Sequence, residues 1–92
     1  MDDALVEAAL DAGGRACYVG RLPSPLYEHF FRSFAENAGF TLHLARRRGR
    51  DRHHVVEAAM KALGLALRQA RVTADEVFST KGAVSLTISG EA

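Results

Sequence analysis

The stretch LYEHFFRSFAENAGFTLHLARRRGRDRHHVVEAAMKALGLALRQA, residues 26–70, changes its hydrophobic period twice. Leu26, Phe30 and Phe34 recur at four-residue spacing and Phe31 widens the stripe, which predicts an amphipathic helix. Ser24 just upstream is a candidate N-cap, Pro25 suits the first helical position, and Gly39 suits the stop. Phe40, Leu42 and Leu44 then alternate with Thr41, His43 and Ala45, the period of a half-buried strand. RRRGRD (46–51) reads as a basic loop whose Asp51 can cap a second helix. The apolar stripe of that helix includes Val56, Met60, Leu63 and Leu67, with alanines allowing close approach.

Outward from this block the signals are shorter. ALVEAALD (4–11) suits helix by composition, yet Val6, Ala8 and Leu10 against Leu5, Glu7 and Ala9 also alternate as a strand would. Gly13 and Gly14 supply a turn, and ACYVGRL (16–22) carries the strand-favouring Tyr18 and Val19. The two segments are therefore expected to form a hairpin. VTADEVFSTKG (72–82) reads as a polar connection, and AVSLTIS (83–89) as a strand alternating Val84, Leu86 and Ile88 with serine and threonine. The expected order is β-β-α-β-α-β, an α+β two-layer sandwich with helices on one face of a sheet. Residues 1–92 are read as one domain, with 83–92 as an additional C-terminal strand.

Composition narrows the function classes. The chain has 92 residues, 48% hydrophobic and 25% charged, so it fits one small domain with a limited core. Twelve Lys+Arg against 11 Asp+Glu leave a net charge of +1, which argues against a polyanionic partner. Arg46, Arg47, Arg48, Arg50 and Arg52 cluster in one segment, but no aromatics interleave them, so a solvated loop outweighs a nucleic-acid patch. The single cysteine, Cys17, forms no internal disulfide, and the acidic start lacks the basic region of a signal peptide. No apolar run nears the roughly 20 residues of a membrane span. A cytoplasmic protein without membrane or nucleic-acid partners is expected.

The chemistry-bearing motif is His53-His54-x-x-Glu57. Glu57 is four residues from His53 and three from His54, so on a helix it can share a face with either. The two imidazoles project roughly 100° apart, which suits two metals on two sides of the helix better than one held by both. Imidazole and carboxylate donors at such spacing accept manganese, iron, zinc or nickel. His29 stands on the first predicted helix and His43 on the intervening strand. Against this stands the plain alternative of polar residues on the first turn of an ordinary helix.

Taken together, residues 26–70 and the STKG at 79–82 resemble the C-terminal half of imidazoleglycerol-phosphate dehydratase, the histidine-biosynthesis lyase. The likeness extends upstream through MDDALVEAALDAGGRACYVG and covers roughly residues 1 to 82. It implies one repeat of a duplicated fold, the ribosomal protein S5 domain 2-like β-β-α-β-α unit, in large oligomers with a dinuclear Mn2+ centre at subunit interfaces. By position, His29 matches the lone histidine of the family's first helix, and His53, His54 and Glu57 match its second-helix metal motif. Glu57 would be ligand or proton-transfer group, while Arg15, Ser79 and Lys81 would hold the substrate's phosphate. The substrate's imidazole would lie between the metals as an anion, and loss of water would follow abstraction of the C2 proton by a carboxylate.

The departures from the family also matter. One metal motif and one lone histidine stand where the full enzyme has two of each, and the linker arginine is missing. Asp2-Asp3 replaces an Asp-Glu pair, the segment near Pro23 is shorter, and AVSLTISGEA (83–92) continues beyond STKG. Two copies about a twofold could restore the missing half, burying Leu26, Phe30, Val56 and Met60 in a homo-oligomer. The expectation is a half-length dehydratase-like lyase acting on a phosphorylated imidazole. A non-catalytic metal-binding homo-oligomer and a half needing a separate N-terminal partner are the alternatives.

Overall fold

The structure, a computed structural model, describes residues 3–77 and 85–91. Its elements run β1 (Leu5–Asp11), β2 (Cys17–Gly20), α1 (Pro25–Ala38), β3 (Thr41–Arg48), α2 (Arg52–Val77) and β4 (Ser85–Glu91). This is the expected β-β-α-β-α-β order, folded as an α+β layer pair with a mixed four-stranded sheet. The ambiguous first segment resolves as strand. Val6, Ala8 and Leu10 are at most 1% exposed and form one face of β1, continued by the buried Ala4 just before it.

The expected hairpin does not form. The strand order is β2-β3-β1-β4, so β3 inserts between the two segments, parallel to β2 and antiparallel to β1. β1 is paired on both edges, by β3 and β4, which leaves β2 to pair with the far edge of β3. Gly13 turns the chain locally by donating its amide to Asp11 Oδ1 at 3.0 Å, an Asx-type turn that does not return onto β1. The Cys17 amide instead donates to Phe40 O at 2.9 Å, seating β2 beside the start of β3.

The cap signals of α1 act as their chemistry dictates. Ser24 has extended backbone and its hydroxyl accepts from the Tyr27 amide at 3.4 Å, Pro25 opens the helix, and Gly39 closes it at φ 78°. The core-facing side is Phe31 and Ala35, joined partly by Phe34, whereas Leu26 and Phe30 point outward at 71% and 44% exposure. Helix α1 covers the β2 side of the sheet and α2 covers β1 and β4. The inner face of α2 is mostly alanine: Ala58, Ala59, Ala62 and Ala66 are fully buried with Val55. Small side chains let its backbone lie close on β4. A Cβ on the buried Gly90 would stand 2.5 Å from the Ala62 amide nitrogen and 2.7 Å from the Ala58 carbonyl.

Three expectations need correcting. Arg46–Arg48 belong to β3 and not to a loop, with a bulge opposite Leu5 and Val6 near Arg47, whose guanidinium pairs with Glu7. Helix α2 runs through Val72 to Val77, because neither glycine nor proline interrupts it after Gly64. Val56, expected to be open for contact with another chain, is buried at 8% exposure. The extra terminal strand does form, and it pairs antiparallel with β1 of its own chain.

Candidate metal centre

The first turn of α2 carries the motif, and its start is built by two neighbours. Asp51 caps the helix, its carboxylate accepting from the His54 amide at 3.2 Å and its carbonyl from the Val55 amide at 2.9 Å. Gly49, at φ 127°, lets the chain pass against β1; a Cβ there would meet Ala4 Cβ at 2.9 Å and Val55 Cγ2 at 3.0 Å. The consequence is that Asp3, one residue before Ala4, sits beside the opening of α2.

The two histidines diverge as helical geometry requires. Their ring centroids are 6.0 Å apart and the planes are inclined by 61°. His53 and Glu57 line a cleft of about 540 Å3 together with Arg52, Val56 and Met60 of the same helix. Ser24 and Tyr27, at the start of α1, form its other wall. His54 turns away and engages Asp3, with 2.6 Å between Nδ1 and Oδ2. That hydrogen bond raises the His54 imidazole above its ordinary value of 6.5 and holds the Asp3 carboxyl below 3.8. Lys61 approaches Glu57 at 3.8 Å, one turn along, without closing the cleft.

The donor set fits a divalent transition metal in chemistry but is incomplete in one chain. Imidazoles and a carboxylate on one exposed turn, with one imidazole already held by an outer carboxylate, are the ingredients of such a site. Yet no group of three or more His, Cys, Asp or Glu converges on a common point among the described residues. His29 is exposed on α1 and does not line the cleft, and His43 is exposed on the open face of the sheet, opposite Ala9.

Of the phosphate candidates, Arg15 is not brought to the motif. Arg15 follows β1 at its Asp11 end, where its carbonyl accepts from the Thr41 hydroxyl. The motif and Asp3 lie at the other end, where Leu5 pairs with Arg48. Six residue steps of strand separate the two ends, roughly 20 Å. Ser79 and Lys81 lie outside the described residues.

Asp3 is the site residue that sequence reading passed over, noting only that it replaces a glutamate. Its role depends on the β1–β3 register and on the close passage at Gly49, neither of which leaves a local signal.

The family model described as imidazoleglycerol-phosphate dehydratase matches residues 1–67. The imidazoleglycerol-phosphate dehydratase of Pyrobaculum calidifontis is 50% identical over 92 residues, covering 89% of this chain and 49% of that protein. Those of Saccharolobus solfataricus and Saccharolobus islandicus are 43% and 42% identical over 95 residues, each covering 91% of this chain and 49% of the relative. The chain thus spans about half the length of the curated relatives it matches. No solved structure matches it.

Proposed function

This chain belongs to the imidazoleglycerol-phosphate dehydratase family, and from that premise we propose that it is a metal-dependent lyase removing water from imidazoleglycerol phosphate. One observation carries the mode of action: the metal-type residues and Arg15 stand at opposite ends of the sheet, too far apart for one small substrate. A second copy therefore completes each site. Leu26, Phe30 and Met60, at 71%, 44% and 39% exposure, supply the apolar surface for that contact.

In this reading His53 and His54 of one copy hold two different metals, Mn2+ by the family's precedent, with His29 of another copy as a further ligand and Glu57 as ligand or proton-transfer group. Bound metal would supply positive charge that stabilises an anionic substrate ring. The protein's own groups do the rest. Arg15, with Ser79 and Lys81, binds the phosphate through charge-assisted hydrogen bonds. The Glu57 carboxylate faces the cleft beside His53, placed to take up the proton lost from carbon. Tyr27 and Met60 bound the cleft and exclude water once a second copy covers it.

The test is an assay of water loss from imidazoleglycerol phosphate by the purified chain with added Mn2+. Turnover abolished by Glu57→Gln and by His53→Ala is the expected result. Metal uptake without turnover leaves a binding oligomer. Activity appearing only on addition of a separate chain carrying the other half of a relative assigns this chain to a hetero-oligomer.

A further inference from the structure

We propose that Asp3 is a positioning residue for metal capture, holding Nδ1 of His54 so that Nε2 is the coordinating atom. The inference rests on the metal-binding reading above and concerns how this chain prepares one ligand before metal arrives.

The pairing is built into the backbone. Ala4 is fully buried, and Gly49 at φ 127° passes directly over it, so Asp3 has a fixed place beside α2. The His54 amide is already committed to Asp51 at 3.2 Å, which fixes the helical position of the ring's Cα. Asp3 Oδ2 then meets Nδ1 at 2.6 Å, within hydrogen-bond reach of an ionised acceptor. A neutral imidazole in that pairing carries its proton on Nδ1 and presents a lone pair at Nε2. An outer carboxylate of this kind selects the tautomer, limits ring rotation and raises ligand basicity. His53 differs: among the described residues no carboxylate holds its ring, which packs edge-on against the ring of His54. One ligand of the pair is thus preset and the other is free to turn. An aspartate here reaches His54 directly, so the methylene by which it is shorter than glutamate is no handicap.

The experiment is Mn2+ titration of the full chain and its Asp3→Ala and Asp3→Asn variants, with ring nitrogen NMR of His54 in the metal-free protein at alkaline pH. The expected result is affinity reduced by about 10- to 100-fold in Asp3→Ala. Asp3→Asn recovers part of it, because the amide oxygen still accepts from Nδ1–H. The neutral His54 tautomer shifts from Nδ1–H to a mixture in Asp3→Ala only. Wild-type affinity and tautomer in Asp3→Ala overturn the proposal. So does a loss in both variants that merely follows unfolding of the metal-free protein. A wild-type chain that takes up no Mn2+ overturns this inference and the metal-binding reading together, whereas normal uptake by all three chains overturns this inference alone.

Discussion

The Tyr18 hydroxyl on β2 donates to Glu28 Oε1 on α1 at 2.5 Å, and the same oxygen accepts the Leu22 amide at 3.0 Å. One carboxylate oxygen thus ties the end of the sheet, the loop after it and the first turn of the helix that walls the cleft. The Arg32 guanidinium lies over the Tyr18 ring, 5.7 Å from its centroid, and the Phe31 ring lies nearly parallel to it with centroids 6.3 Å apart. Tyr18 is 8% exposed, and burial pushes its hydroxyl above the ordinary phenol value. Tyr18→Phe leaves Glu28 without its phenol donor, so urea unfolding should show a loss of about 1.5–3 kcal/mol. A change within a few tenths would mean the contact contributes nothing net.

Close approach of α2 to β4 gives a second expectation. Gly90→Val places a side chain against the backbone of Ala58 and Ala62, and neither backbone can move without breaking the layer. Overpacking of this kind costs about 1–3 kcal/mol, sometimes more. Hydrogen exchange should show the amides of β4 losing protection before those of β3. Equal protection in the variant would contradict the packing described.

The Asp3–His54 pair predicts a pH window. The imidazole is raised above 6.5, so its contribution to stability is present below that value and is lost as pH rises through the raised one. The carboxyl is lowered below 3.8, so its contribution is present above that value and is lost as pH falls through the lowered one. Metal-free wild type and Asp3→Ala should therefore differ most in thermal midpoint between those two values. The difference should shrink on either side, and a constant offset across pH would rule out an ionised pair.

The proposed self-association uses the outward side of α1. Leu26→Glu with Phe30→Glu changes residues that leave the core of Phe31 and Ala35 intact. Sedimentation should show wild type as an assembly and this double variant as a monomer with unchanged circular dichroism. A monomeric wild type would remove the basis for a site shared between copies.

The sequence disclosed what local chemistry decides and concealed what depends on distant register. Ser24, Pro25 and Gly39 bound α1 because caps act within a few residues. Alternation at Leu42 and Leu44 showed β3 for the same reason. The hairpin suggested by Gly13 and Gly14 does not form because β3, later in the chain, pairs with both β1 and β2. The stripe through Leu26 and Phe30 identified a helix without showing which apolar side meets the core. Within the site, the divergence of His53 and His54 followed from helical geometry alone. The partner of His54 did not, since Asp3 reaches it across 51 residues only after β1 and β3 pair.

The central claim is that each metal takes ligands from more than one copy of the chain. It is tested most directly by comparing the Mn2+ affinity of the wild-type assembly with that of the folded, monomeric Leu26→Glu/Phe30→Glu variant, whose His53, His54 and Glu57 are untouched. The account predicts an affinity at least about a hundredfold weaker in the monomer, beyond what loss of an outer-shell partner produces. Wild-type affinity in the folded monomer would contradict it.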